Sequence, residues 1–455
     1  MSYMMDQGNI SSAVDEQQQQ RQRKRRQHQG RTLENVLIMQ GGGSLGAFAC
    51  GVYKALVRKK VKIDIAAGTS IGAVNAAIIV GSKNDHPEKD LEDFWIEIAE
   101  SNHHIIPDLY IADYDNYAKE YTTNKISAAS ANAAVFGVPK MFIPRWGPWI
   151  AGNYLNREGT SRESGGGCNA SRSTFFSYPY FDPRSWTYLY DHSPLEKTLN
   201  KYIDYKKLNL AGTKEKSPEV LRLIITAVDV LTARPLIFDN TRMEIKAKHI
   251  LASSGYPIYG FPWIKIDDDD ESNAKNNSDN NNNADGIYAW DGSLLSNTPV
   301  REVLNMSPRN DKNIFIVENY PRKVRRLPSN MAEVQSRAKD ILFCDKNMET
   351  IRMSRLITRQ IQLIKRLYNI FETDKLIDRS KINANEVREI ESEYNKLIEN
   401  YGAQILSVVR IVRSETELPT ILQNADFSPG TVKELILQGE QKTIEELAIT
   451  KGKIL

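Results

Sequence analysis

The chain has 455 residues, of which 26% are charged and 41% hydrophobic, and its formal net charge is +3. This length and apolar share fit one large domain or two to three ordinary ones, and they exclude a wholly disordered, collagen-like or multi-span membrane protein. The charge excess lies entirely in residues 1–32, where Arg21, Arg23, Lys24, Arg25, Arg26 and Arg31 face Asp6, Asp15 and Glu16, so the balanced remainder carries no overall bias toward nucleic acid.

Residues 1–32 are rich in Gln and Arg and poor in groups to bury, which predicts a disordered tail. No cleavable apolar segment follows its basic run, so no secretory signal is expected. Cys50, Cys168 and Cys344 are too few and too scattered for a disulfide framework or a zinc site, which points to a reducing, cytoplasmic compartment.

Val36 to Met39 form a short apolar run closed by Gly41, Gly42 and Gly43, the pattern of a buried strand entering a tight turn. A helix is expected from Ser44 to Arg58 and a second strand over Val61–Ala66. Ile65 to Ser82 holds no charge, yet Gly68, Thr69, Ser70, Gly72 and Asn75 fit a buried strand, turn and helix better than a membrane span. This strand–helix–strand–helix order implies a largely parallel, helix-covered sheet.

Farther on, 88–101 has the pattern of an amphipathic helix. Residues 135–160 mix Phe, Trp, Pro and Gly without period, as an irregular cap, a lid or packed core does. Strands are expected at Val220–Val228, Pro235–Phe238 and Asn313–Val317, with a helix near Ile245–Ser253. The polar insertion 267–285 separates two apolar runs as the tip of a hairpin does; it lacks the glycine and distal glutamate of a calcium loop. Residues 331–371 and 384–400 have helical patterning, 404–413 fits a late strand, and a last helix is expected over 429–448.

Two glycine motifs carry chemistry. Gly41-Gly42-Gly43-Ser44-Leu45-Gly46 follows a strand and opens a helix, where backbone N–H groups and the helix dipole favour an anion. By itself it fits a dinucleotide fingerprint with Asp64 beyond it, an oxyanion hole, or a plain turn. Gly68-Thr69-Ser70-Ile71-Gly72 then supplies a Gly-x-Ser-x-Gly sequence between an apolar run and a helix, the setting of a nucleophile elbow. This second motif favours acyl transfer, and it leaves Asp64 awkward as a ribose ligand.

A serine nucleophile needs a base. None of His28, His86, His103, His104, His192 and His249 follows a late strand. His192 is expected to make a turn or cap contact and His249 to be structural. Asp291-Gly292-Ser293, after the run Tyr288-Ala289-Trp290, offers a carboxylate at a strand end; an isolated Asp-Gly is ordinarily a surface turn, but the upstream motifs favour a role.

These three motifs, in this order, resemble the patatin-like phospholipases. The resemblance implies a three-layer α/β/α sandwich with a mostly parallel central sheet and a C-terminal helical extension. It divides the chain into a tail (1–32), a catalytic domain (33–325, with an irregular cap at 135–180) and a mainly helical extension (326–455). It further implies a lipid acyl hydrolase with Ser70 as nucleophile and Asp291 as base. Gly41, Gly42, Gly43, Ser44 and Gly46 would shape the oxyanion hole, Gly68 and Gly72 the elbow, and Gly292 and Ser293 the dyad loop. Leu45 and Ser293 depart from the family's usual Arg and Gly or Ala. No metal, cofactor or nucleic acid is implied; the partners are a lipid ester and, transiently, a membrane surface met from the cytoplasm. A degenerate lipid- or protein-binding module and an NAD(P)-binding protein are the competing readings.

Overall fold

The computed structural model describes residues 33–102, 128–145, 186–212, 220–266, 286–373, 384–414 and 423–454. The basic tail, the 267–285 insertion, Cys168, His28, His103, His104 and residues 146–180 of the expected cap lie outside them.

In chain order the described elements begin with β1 (Leu33–Met39), α1 (Ala47–Arg58), β2 (Ile65–Thr69), α2 (Ile71–Gly81), α3 (Pro87–Ser101), α4 (Ala128–Phe136), β3 (Ile143–Pro144) and β4 (Tyr190–Asp191). Next come α5 (Ser193–Tyr202), α6 (Tyr205–Leu208), β5 (Arg222–Asp229), β6 (Pro235–Asp239), α7 (Ala247–Ser254), β7 (Ile264–Ile266), β8 (Ile287–Asp291), α8 (Val300–Met306) and β9 (Asp311–Glu318). The chain closes with α9 (Met331–Phe343), α10 (Met348–Thr373), α11 (Ala384–Tyr401), β10 (Ile405–Val412) and α12 (Pro429–Ile454).

The main sheet has the order β10-β9-β1-β2-β5-β8-β7, with β6 also on β5. It is parallel at β1/β2 and β2/β5 and antiparallel at β5/β6, β5/β8 and β7/β8. This is the helix-flanked α/β sheet the resemblance implies. All five residues of β2 and six of eight in β5 are buried, as strands covered on both faces require. The β7/β8 hairpin brackets the 267–285 insertion as expected.

Several boundaries differ from the sequence expectation, and the helical stretch expected over 331–371 is two helices, α9 and α10, broken at 344–347. The second strand starts at Ile65, where pairing with Val36 begins, because Lys62 and Asp64 interrupt the apolar run before it. A 3-10 turn over Gly43–Gly46 precedes α1, because Gly42 (φ 153°) and Gly43 (φ 58°) hold a backbone that a helix start does not.

The chain forms two compact units. The larger comprises 36–303, 315–348 and 409–455, and the smaller 1–35, 304–314 and 349–408. In the larger, α12 crosses α1 at backbone contact. A Cβ built on Gly51 would lie 1.8 Å from the Ile436 carbonyl oxygen, and one on Gly439 2.2 Å from that of Phe48. Glu440 of α12 accepts from Lys54 (2.8 Å) and Arg58 (2.5 Å) of α1 beside this crossing. In the smaller, fully buried Lys312 donates to Glu34 (3.0 Å) and to the carbonyls of Ser307 and Asn310, so its charge is paired rather than stranded.

Candidate active site

Strand register brings the two expected catalytic side chains together. Thr69, the last residue of β2, pairs with Thr226 of β5; Asp291, the last of β8, pairs with Ala227. Because β6 occupies the other edge of β5, β2 and β8 meet end to end along one edge. Ser70 and Asp291 therefore meet at the same point of the sheet although 221 residues separate them in sequence.

Ser70 turns the chain from β2 into α2 with φ 59° and ψ −130°, a conformation that costs a non-glycine residue about 1–3 kcal/mol. The surroundings leave it no alternative. A Cβ on Gly68 would sit 2.2 Å from the Gly72 carbonyl, and one on Gly72 would sit 2.2 Å from the Met39 carbonyl oxygen. The Ser70 N–H donates to Ser253 Oγ of α7 (3.0 Å), which in turn donates to the Thr226 carbonyl (2.7 Å). Thr69 and Thr226 share a hydroxyl hydrogen bond of 2.6 Å directly beneath.

Asp291 is 1% exposed. Its Oδ1 accepts from the Ser293 N–H (2.8 Å), while Oδ2 is buried without a complete hydrogen bond. Burial pushes the Asp291 carboxyl up to about 6, against the pull of the nearby Ser70 and Ser293 groups that favour the anion. An apolar site that lifts a carboxylate toward neutral pH makes it a better proton acceptor than a solvated aspartate. Gly292 keeps the turn tight, since a Cβ there would meet the Thr226 carbonyl at 2.7 Å.

The glycine loop packs over this pair. Gly42 and Gly43 line the cavity, and their N–H groups have no acceptor among the described residues. The same holds for the N–H of Ile71, which opens α2 directly after Ser70 and lines the cavity as well. Gly41 differs from the expectation of an oxyanion donor: its N–H is already given to Asn297 Oδ1 (3.0 Å), and a Cβ there would sit 2.8 Å from that of Ser70. Ser44 turns its hydroxyl away, to the Gln423 carbonyl (3.1 Å). Gly46 makes room for Ile71, whose Cγ1 would lie 2.7 Å from a Cβ placed there.

Several supporting residues escaped the motif reading. Asn297 holds the glycine loop to the dyad loop, accepting from Gly41 and from Ser293 Oγ (3.0 Å) and donating to the Phe343 carbonyl. Gln40 and Asn319 brace the loop from behind, with Gln40 Nε2 on Thr298 Oγ1 (2.7 Å) and the Asn319 N–H on Gln40 Oε1 (2.9 Å). Asn75 joins the Gly46 carbonyl (2.9 Å) to the Trp95 indole (3.1 Å). Isolated Asn and Gln residues carry no local signature, so only the fold reveals them.

The cavity over Ser70 holds about 210 Å³ and is mainly apolar, with Met141, Phe142, Leu195, Phe261, Phe343 and Phe427 in its walls. Met141 and Phe142 belong to the described part of the expected cap. His192 takes the N-cap position of α5, as a cap or turn contact requires, its carbonyl accepting from the Leu195 N–H (3.1 Å); its ring makes no capping bond and forms a buried wall of this cavity, and burial lowers its pKa to about 4. His249 is structural as expected: its Nδ1 accepts from the Lys246 N–H (2.9 Å) and its ring packs on Phe238. His86 lies at the surface beside Glu88. Among the described residues no group of three His, Cys, Asp or Glu side chains could hold a metal ion, and no helix is long and apolar enough to cross a membrane.

Known proteins match this chain to different extents. VipD from Legionella pneumophila aligns over 91% of this chain and 66% of its own, at 13% identity and a TM-score of 0.32, too shallow a likeness to carry an argument. A Caenorhabditis elegans patatin-like phospholipase domain-containing protein, M110.7, is 33% identical over 66 residues, which span 14% of this chain and 6% of that relative. The family model for patatin-like phospholipase matches residues 37–304, more than half of the chain, and the match contains the glycine loop, the elbow and the Asp291 turn. The chain belongs to the patatin-like phospholipase family.

Proposed function

We propose that the chain is a serine acyl hydrolase that cleaves ester-linked fatty acyl groups through a Ser70–Asp291 dyad. The observation that carries this reading is the meeting of a strained, cavity-facing serine with a buried carboxylate of raised pKa, both at the floor of an apolar pocket. Asp291 takes the Ser70 proton as Oγ attacks the ester carbonyl. The N–H groups of Gly42, Gly43 and Ile71 receive the oxyanion, a role in which losing one donor typically costs about 2.7–4 kcal/mol of barrier. Protonated Asp291 then gives its proton to the departing alcohol. Water, deprotonated by Asp291, attacks the acyl-enzyme and releases the fatty acid and Ser70. His192 is a poor base by comparison, because burial disfavours the imidazolium that proton uptake would form.

The substrate class follows from the cavity walls, which suit an acyl chain, and from the family; such substrates are met at a lipid surface. Ser293 gives no support to a degenerate module, since its N–H serves Asp291 and its hydroxyl serves Asn297.

Hydrolysis of p-nitrophenyl butyrate is the direct assay. Ser70→Ala and Asp291→Asn should each lower kcat/KM by about a thousandfold or more while retaining a cooperative thermal transition. Full activity in Ser70→Ala would remove the proposal.

A further inference from the structure

A second concavity lies in the same unit as the catalytic cavity. This groove of about 590 Å³ is lined by Lys323, Arg325, Arg326, Arg337 and Arg413 against only Glu333 and Asp340. Arg326 is paired with Glu333 (2.8 Å), and Arg337 stands 3.7 Å from Asp340. Arg413 is buried and donates to the carbonyls of Asn319 (2.8 Å) and Ser414 (3.2 Å). Lys323 and Arg325 are exposed and have no carboxylate partner among the described residues. A concave wall with this excess of cations concentrates positive potential, and guanidinium and ammonium donors match phosphate oxygens.

The groove adjoins the chemistry. Tyr320 and Asn424 line both the catalytic cavity and a narrow cleft of about 10 Å³. Ser336, Asp340, Arg413 and Gln423 line both that cleft and the groove. The segment between them touches the glycine loop directly. Ser44 donates to the Gln423 carbonyl, and a Cβ on Gly43 would sit 2.3 Å from the Asn424 carbonyl oxygen. Lys339 adds a cation at the cleft, 3.4 Å from Asn424 Oδ1 and over the ring of Tyr259, itself a wall of the catalytic cavity.

We propose that this groove holds the phosphate of an anionic lipid head group while the acyl chain occupies the catalytic cavity. The proposal rests on the hydrolase reading and names its substrate: a phospholipid of net negative charge. The cations that attract the phosphate repel a choline trimethylammonium, so the groove discriminates between acidic and zwitterionic head groups.

The test uses the full chain and short lipids kept monomeric, so that binding to a lipid surface does not enter. Wild type should cleave dihexanoyl-phosphatidylglycerol with a kcat/KM roughly tenfold or more above that for dihexanoyl-phosphatidylcholine. Lys323→Glu with Arg325→Glu should lower that ratio by roughly tenfold, mainly through KM, and Lys323→Gln with Arg325→Gln should give an intermediate ratio. Added salt should weaken the preference in wild type. Equal kcat/KM for the two lipids in wild type, or a ratio that the double variants keep, overturns the proposal. Calorimetric binding of inorganic phosphate that the double variants lose, with no preference between the lipids, assigns the groove to a free anion and also overturns it. Failure of wild type to cleave p-nitrophenyl butyrate would instead remove the hydrolase reading.

Discussion

In the proposed mechanism Asp291 sets the pH behaviour of the site. In the proposed role of base it must be ionised, so kcat/KM for a soluble ester should rise with pH and level off above about 6, the pKa that burial gives it. The same shift has a sign in stability. Because the folded pKa lies above the ordinary value of 3.8, the native state binds this proton more tightly than the unfolded chain does. The stabilising contribution is complete below the ordinary pKa and is lost as pH rises through about 6. Asp291→Asn removes a buried anion that is unfavourable at neutral pH, and an amide oxygen can still accept from the Ser293 N–H. The variant should therefore melt above wild type at about pH 8, with the gap closing toward about pH 4, as thermal denaturation at the two pH values will show. The placing of Ser70 and Asp291 at sharp turns was legible from their flanking glycines, because such a turn leaves a local signature. Asn297, Ser253 and Gln40 were not, because a single amide or hydroxyl is defined as a brace only by partners far away in sequence: Asn297 lies 256 residues from Gly41.

Among elements, the pairing of β2 and β8 on one edge of β5 positions the site, and the crossing of α1 by α12 supports the helix that follows the glycine loop. Short apolar runs announced β1, β5, β6 and β9, and helical periodicity announced α3, α10 and α11. The order of strands was hidden, since a parallel neighbour is chosen by long-range packing rather than by local pattern. The close approach of α1 and α12 was hidden too, because Gly51 and Gly439 each read as an unremarkable glycine in a helix. Their importance is testable. Gly51→Ala would force a methyl group into the Ile436 carbonyl and should cost about 1–3 kcal/mol in chemical denaturation. Gly430→Ala, at the start of the same helix with nothing within 4 Å, should leave the denaturation midpoint at or above that of wild type.

At the scale of the whole molecule, net charge proves a poor guide to the chemistry. The +3 excess belongs to residues 1–32, whereas the proposed active centre combines a serine, one buried aspartate and backbone N–H groups. The balanced remainder nevertheless separates its charges, collecting five cations against two acids in the groove beside the catalytic cavity. Composition conceals that separation because its members come from 323–337 and from Arg413, which only the fold brings together. The central claim is that Ser70, activated by Asp291, is a nucleophile. Labelling the intact protein with a fluorophosphonate and mapping the adduct by mass spectrometry tests this most directly. The account predicts one adduct, on Ser70, whose rate of formation falls sharply in Asp291→Asn; an unlabelled Ser70, or labelling that Asp291→Asn leaves equally fast, would contradict it.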